Sequence, residues 1–429
     1  MKNSGIKFLD SLTDFGIKLG LDKVSLLLKK VGNPHFRYPS VLIAGTNGKG
    51  STAKFLSTIL QESGYKTGLY TSPHLINVEE RIKINDKDIS PEIFENICID
   101  VKKIVEKLPI EKIPTYFEAI TAIAFYYFKE EKIDILVCEV GMGGRYDATN
   151  VLSSFLEIIM PVSFDHMEFL GNSLQEIARE KAGIIKDNSF LVVGEQKKEA
   201  RDVISEVSSI KHAKSFFYPY DFFFKINSSS LKNGNNFDFY GIKEIKDLTI
   251  KISGQHQLQN SCVAIQSALV IDKYFFPVKE DSIKKGLEQT YWPARFQIIS
   301  KNPLIILDGA HNPDGAQILI KSLDFYFPNE KFIFLVGILK DKEYIEILKI
   351  FSSRASIFIF TNPSNSRALP ANELQNILEK EKISIPSTVI ENPQSAFSYL
   401  KEISVEKNSK AVICGSLYLA GDILKLIPL

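Results

Sequence analysis

The seven residues Gly45 to Ser51, GTNGKGS, lie between an apolar run, SVLIA, and a segment of helical spacing, STAKFLSTILQESG, that ends on a Gly stop. A glycine-rich turn joining a strand to a helix lets backbone N–H groups come close to a phosphate, and the helix N-terminus behind it favours anions. Gly48 and Gly50 give that close approach, Lys49 supplies charge for the β- and γ-phosphates, and Ser51 offers a hydroxyl near Mg²⁺. The common spelling of such a phosphate loop is GxxxxGK[ST]. Here the lysine comes one residue early and Gly50 separates it from Ser51. The bland alternative is an ordinary glycine-rich turn between strand and helix.

The rest of the chain repeats this rhythm. DILVCEVGMGG and LEIIMPVSFDH are apolar runs without strict alternation, as in the strands of a parallel sheet covered on both faces. Strands alternating with helical segments predict an α/β fold. Residues 220–253 differ: they alternate with period two around Asn233-Gly234, which predicts two or three antiparallel strands at the edge of the first domain. Helices are expected over HQLQNSCVAIQSALVIDKYF and SIKKGLEQT. Trp292-Pro293 then breaks the chain, and a fresh α/β series follows: PLIILDGAHNP, KFIFLVGILKD, ASIFIFTNPS, STVIEN and AVICGSLYLAG. The expected division is a domain at 1–295 and a smaller one at 296–429, each binding ligands at the carboxyl edge of its sheet. The stretch DFFFK is read as strand core, and the charge runs EEKID, KKEARD and LEKEKIS as solvated helix faces.

Composition narrows the function classes. The 429 residues carry 52 Lys+Arg against 51 Asp+Glu, a net charge of +1, which leaves no electrostatic footprint for nucleic acid or an anionic membrane. No apolar stretch approaches the ~18 residues of a membrane span, and MKNSGIKFLD has no signal-peptide pattern. The four cysteines, Cys98, Cys138, Cys262 and Cys414, lie far apart without a CxxC, so neither a disulfide framework nor a zinc site is expected. A reducing cytoplasm fits this usage, and a monomer is the default expectation.

GTNGKGS is joined in order by YTSPHL (70–75), ERI (80–82), TYFEAIT (115–121), EVGMGGRYDATN (139–150), SFDHMEFLG (163–171), REKAGIIK (179–186), GQHQLQN (254–260), LDGAHNP (307–313) and GSLYLAG (415–421). Together they resemble the folylpolyglutamate synthase / dihydrofolate synthase family of the Mur ligase superfamily, over nearly the whole chain. The resemblance implies a P-loop-type Mur ligase central domain with a smaller Rossmann-like C-terminal domain. It also implies an ATP-dependent ligase joining L-glutamate to tetrahydrofolate, and to dihydropteroate if both activities are present. ATP would phosphorylate a substrate carboxylate, and the glutamate amine would displace phosphate from the acyl phosphate. A carboxylate is a poor electrophile until phosphorylation gives it a leaving group, and bringing two anions together calls for Mg²⁺ and a cationic cradle.

Site residues carry over by motif position. Ser72, Glu139 and His166 match the first Mg²⁺ site, with Ser51 contributing from the phosphate loop. Lys181 matches a modified lysine whose carbamate would help hold a second Mg²⁺, because an unmodified ammonium cannot ligate a metal. Asn260, Arg295, Asp308 and His311 fall on the nucleotide side, and Pro293-Ala294-Arg295 has Ala where the family has Gly. Lys49, Lys181 and His311 are the expected catalytic residues. Thr115, Phe117, Glu118, Tyr146, Asp147 and Ala148 fall at pterin or pteroate positions, with Phe117 and Tyr146 as stacking surfaces. Lys18 to Leu21 could border the same site, and His74 and Arg81 could meet substrate carboxylates or lie on a solvated loop. Two other readings stay open: a Mur-type ligase acting on a peptidoglycan precursor, and a P-loop NTPase that ligates nothing.

Overall fold

The computed structural model describes residues 4–16 and 20–427. The chain opens with helices α1 (Ser4–Ser11) and α2 (Asp22–Lys30), then strand β1 (Ser40–Ala44) and helix α3 (Lys49–Glu62). Next come β2 (Thr67–Tyr70), β3 (Ile82–Ile84), β4 (Lys87–Asp88), α4 (Pro91–Val105), α5 (Tyr116–Glu130) and β5 (Ile135–Glu139). The first sheet is completed by β6 (Leu156–Ile159), α6 (Met167–Leu170), α7 (Leu174–Ala182), β7 (Phe190–Val193), α8 (Lys198–Ile210) and β8 (Lys214–Phe217). Its order is β4-β3-β2-β5-β1-β6-β7-β8, parallel throughout except for β3 and β4. β1 lies between β5 and β6; the connection leaving β1 runs toward β2 and the one leaving its neighbour β5 runs the other way to β6, and this switch point opens a crevice at the strands' carboxyl ends. Residues of β1, β5 and β6 are buried throughout, which is why they read as unbroken apolar runs.

The alternating stretch forms a separate antiparallel sheet of β9 (Phe223–Ser230), β10 (Gly234–Tyr240) and β11 (Ile245–Ile250). The expected core reading of DFFFK holds for Phe222, whereas Phe223 is exposed and stacks on Tyr240. Helices α9 (Gln255–Tyr274) and α10 (Glu280–Gln289) follow. The second α/β body comprises β12 (Gln297–Lys301), β13 (Leu304–Leu307), α11 (Pro313–Tyr326), β14 (Phe332–Val336), α12 (Tyr344–Ser352), β15 (Ala355–Phe360), α13 (Ala371–Lys380), β16 (Ser387–Val389), α14 (Pro393–Glu406), β17 (Ala411–Cys414) and α15 (Leu417–Leu424). Its sheet runs β12-β13-β17-β14-β15-β16, with only β12 antiparallel. Each large sheet has apolar clusters on both faces. Leu75 and Ile76, from the loop after β2, pack into a cluster of the second body. There α15 comes so close that a β-carbon at Gly421 would overlap the Leu75 carbonyl oxygen.

Candidate active site

The carboxyl edges of both parallel sheets face one cavity of about 300 Å³. It is lined from the first body by the loop Gly45 to Ser51, Ser72, Glu139 to Gly143, Asp165, His166, Lys181 and Asn260. From the second body come Asp308 to His311, Leu339, Asp341, Lys342, Arg367 and Ser416 to Tyr418, with Arg295 at the junction. All the residues that the resemblance places on phosphate, nucleotide or metal therefore line one space.

The loop's geometry follows from its glycines. Gly48 holds φ +86, and a β-carbon there would stand 2.5 Å from Asn260 Oδ1, so only glycine lets α9 come this close. Lys49 does not lie in a flexible loop, as the flanking glycines suggest, but is the first residue of α3. Its Nζ donates to the carbonyls of Gly45 and Thr46, each at 3.1 Å. The ammonium and the N-terminus of α3 thus point the same way, into the space a phosphate would fill.

Glu139 ends β5 and is 5% exposed. The Ser72 N–H donates to its Oε2 at 3.1 Å, and a β-carbon at Gly50 would stand 3.3 Å from that same oxygen. Burial raises its pKa, against the charges of Lys49, Arg295 and Arg81 and the Ser72 N–H. Among the described residues no cation lies within ion-pair distance of it. Lys181, 4% exposed, donates to Gly45 O at 2.9 Å. Burial first, and Lys49 second, bring its pKa down to about 7. It pairs with neither Glu180 nor Glu176. Glu180 instead lies 3.9 Å from Arg145, and Glu176 forms a capping box with Ser173. His166 is exposed at the rim with φ 52, and its Nε2 is 3.8 Å from Asp165 Oδ2.

Across the cavity, Asp308 accepts from the N–H groups of Phe296 and Ala310, both at 2.8 Å. Arg295 Nη1 donates to Ala294 O at 3.0 Å. Ala294 has φ 55, the left-handed region glycine prefers, so the Ala found in place of the family's Gly leaves the turn in glycine's conformation. Nδ1 of His311 bonds to the Gly309 carbonyl at 2.8 Å and so must carry the proton, which leaves Nε2 as an acceptor. Burial, with Lys342 adding to it, lowers this histidine to about 4, so it is neutral at pH 7.

The pteroate-side residues are placed differently. None of Thr115, Phe117, Glu118, Tyr146, Asp147 and Ala148 lines the cavity. Thr115 and Glu118 close a capping box on α5, and Asp147 accepts from Met142 N and from the N–H and hydroxyl of Thr149. Phe117 lies against Gly141, which does line the cavity, and Tyr146 is 46% exposed. Gly20 N donates to Tyr146 O at 3.4 Å, so one end of the Lys18–Leu21 segment meets this group, while Lys18 and Leu19 lie outside the described residues. Sequence reasoning passed over several contacts between the two bodies. Lys342 pairs with Asp165 at 2.9 Å, and Asn312 bonds to both Asn47 and Asp165. The signal for Lys342 was its position after an apolar strand, at a ligand-binding edge.

The sequence and the described fold match known proteins. The family model "Mur ligase middle domain" fits residues 43–268, and "Dihydrofolate synthetase, C-terminal domain" fits 294–426. The chain is 35% identical over 416 residues to the dihydrofolate synthase/folylpolyglutamate synthase of Bacillus subtilis, covering 96% of this chain and 95% of that protein. It belongs to the folylpolyglutamate synthase / dihydrofolate synthase family of Mur ligases. Among solved structures, the Thermotoga maritima folylpolyglutamate synthase superposes with TM-score 0.86 at 36% identity, covering 99% of this chain and 96% of that one. Escherichia coli FolC, solved with DHPP and ADP, superposes with TM-score 0.85 at 27% identity, covering 98% of this chain and 97% of that one. The Mur ligase fold anticipated from the motifs is the fold observed.

Proposed function

We propose that this protein is an ATP-dependent ligase that joins L-glutamate to tetrahydrofolate, and to dihydropteroate where both activities are present, through an acyl phosphate. The observation that carries this reading is the single cavity where Lys49 and the N-terminus of α3 meet the buried carboxylate of Glu139. The family and the DHPP and ADP of the Escherichia coli relative support it. In this reading residues 1–295 hold phosphates and folate, and 296–429 close the nucleotide and glutamate side.

The residues fit Mg²⁺. Among the described residues no group of three His, Cys, Asp or Glu forms a complete metal cage. Mg²⁺ commonly keeps several waters and binds one or two carboxylates plus substrate phosphates. Glu139, buried and without a cationic partner among the described residues, suits that role, with Ser72, His166 and Ser51 beside it. The bound metal would neutralise charge on the transferring phosphoryl group. A second ion would need the carbamate of Lys181. A neutral lysine amine attacks CO₂, forming an N–C bond and releasing one proton, and the anionic product offers two hard oxygens.

The protein's own groups divide the remaining work. Lys49 and the α3 N-terminus stabilise the phosphates and the charge that moves onto them. Asn260, Arg295 and Asp308 orient the nucleotide from the junction. Phe117 and Tyr146 offer faces for a pterin, with Thr115, Glu118, Asp147 and Ala148 holding the backbone around them. His311 Nε2, unprotonated at neutral pH, can accept the proton that the glutamate ammonium must lose before its nitrogen attacks the acyl phosphate. The deciding measurement is ADP release with ATP and either dihydropteroate or tetrahydrofolate, with and without L-glutamate. Release that needs both folate and glutamate is expected. Release indifferent to both would make the chain a plain NTPase.

A further inference from the structure

The two bodies touch at the mouth of the cavity and again behind it. At the mouth, Lys342 pairs with Asp165 and Asn312 bonds to Asn47. Lys342, Asp165 and Asn47 line the cavity, so whatever enters competes for their bonds. Behind the cavity the contact is of another kind. Tyr326, the last residue of α11, reaches the first body with its hydroxyl, which donates to Asn235 Oδ1 at 3.2 Å and accepts from the Gly254 N–H at 3.3 Å. Asn235, in β10, is fully buried; its Oδ1 also accepts from Ser229, and its Nδ2 donates to Ile252 O at 3.4 Å. Leu231, at the tip of the β9–β10 hairpin, packs against the same cluster of the second body as Tyr326. None of Tyr326, Asn235, Gly254 and Leu231 lines the cavity, so no ligand there competes with this junction.

From this side chain, contacts lead to both halves of the nucleotide side. Gly254 has φ +103 and precedes α9; a β-carbon on it would stand 2.5 Å from His256 Cε1, so the His256 ring lies against its backbone. Gln257 Nε2 donates to His256 Nε2 at 3.0 Å, and Gln257 Oε1 accepts from Asn260 Nδ2 at 3.0 Å. Asn260 Oδ1 is in turn the atom that Gly48 packs against. On the other side, the Tyr326 ring lies 5.5 Å from that of Phe296, whose backbone N–H donates to Asp308. Phe296 holds φ 45, a conformation that a residue other than glycine keeps only where its surroundings enforce it. One side chain therefore touches both the segment that leads to Asn260 and the segment that holds Asp308.

Resting on the nucleotide reading above, we propose that Tyr326 is a positioning residue that keeps the two halves of the ATP site in register. Lys49 and the N-terminus of α3 face the phosphates from the first body, and Arg295 and Asp308 face the nucleoside from the junction. A ligand that spans both halves gains from their being preset, because it does not have to order them itself. A ligand that reaches only one half gains nothing. The test compares a nonhydrolysable ATP analogue with inorganic tripolyphosphate, which has the same phosphate chain and no nucleoside. Dissociation constants are read by titration with Mg²⁺ in wild type, in Tyr326→Phe, which removes only the hydroxyl, and in Tyr326→Ala, which also removes the ring beside Phe296. Tyr326→Phe should weaken the analogue about five- to tenfold, as loss of one or two hydrogen bonds allows, and leave tripolyphosphate within about twofold. Tyr326→Ala should widen that gap, and Tyr326→Phe decides alone if the Ala variant does not fold. The proposal is overturned if Tyr326→Phe binds the analogue like wild type, or if it weakens both ligands by the same factor, as general damage would. It is also overturned if wild type binds the analogue but not tripolyphosphate, since the first body then offers no half-site of its own. Wild type that binds neither ligand would instead bring down the nucleotide reading itself.

Discussion

The large sheet buries a glutamate at each of its ends, and the two are built for opposite purposes. Glu139 closes β5 at the carboxyl edge, and Glu157 lies near the amino end of β6. Burial raises both pKa values. Glu139 receives one backbone N–H, and its carboxylate otherwise faces a cavity. Glu157 is enclosed: Ser154 donates to Oε1 at 2.6 Å, Ser189 donates to Oε2, and Lys186 lies near while bonding Asn150 at 2.7 and 3.0 Å. Desolvation alone therefore does not mark a functional carboxylate. The unfinished bonding around it does.

If this contrast is right, substitutions at the carboxyl edge should remove chemistry and spare the fold. The largest effect is expected from Lys49→Ala, which leaves the apolar cores untouched but removes the charge we propose for the phosphates. Ligation should fall by a thousandfold or more, worth about 4 kcal/mol in the transition state, at an unchanged melting temperature. Near wild-type turnover at saturating ATP would remove the phosphate loop from the mechanism. Lys181→Ala should lose at least about a hundredfold, with partial rescue by a short carboxylic acid that replaces the carbamate's oxygens. Lys181→Arg keeps a cation but cannot supply this carbamate, so it should be as poor as Ala. An active Arg variant under CO₂ depletion would show that positive charge suffices.

A third change tests how far the second body shapes that edge. Any side chain at Gly421 must displace the Leu75 carbonyl, and Leu75 belongs to the loop that carries Ser72. Three consecutive N–H groups of that loop, from Leu75, Ile76 and Asn77, donate to Glu80, so the loop should shift as a unit. Gly421→Val is expected to cut kcat about tenfold and raise the Mg²⁺ needed for half-maximal rate, with about 1–3 kcal/mol of overpacking cost. An unaltered Mg²⁺ dependence would mean the loop and Ser72 move independently.

How much of this was legible in the sequence follows the same divide. The glycine-rich turn between β1 and α3, the strand ends and the end of α10 before Pro293 could be read because local backbone chemistry dictates them: glycines for close approach, apolar runs for buried strands, proline for a break. Contacts made by distant segments could not. The Asp165–Lys342 pair joins residues 177 positions apart, and nothing in GILKDKE alone points to Asp165. The same holds for Arg81, 8% exposed, whose guanidinium stands over the ring of Tyr116 in α5. Glu157 did leave a signal, a charge inside the run LEIIM, and it was passed over because the run read so clearly as a strand.

That glutamate supplies the smallest and cleanest test. Its pKa is raised from 4.5 to about 7, by burial first, with the two serines and Lys186 acting against the rise. The folded state therefore holds the proton more tightly than the unfolded state. The stability this gives is fully present below about pH 4.5 and is lost as pH rises through 7. A shift of this size corresponds to roughly 3 kcal/mol at most between those limits. Glu157→Gln keeps the shape, cannot ionise, and can still bond both serine hydroxyls. Measured by urea unfolding, wild type should lose ground against Glu157→Gln between pH 5 and pH 8, while ligase activity at neutral pH stays within about twofold. Parallel pH profiles for the two proteins would mean the enclosed carboxylate ionises without cost. The contrast with Glu139 would then rest on position in the sheet rather than on bonding.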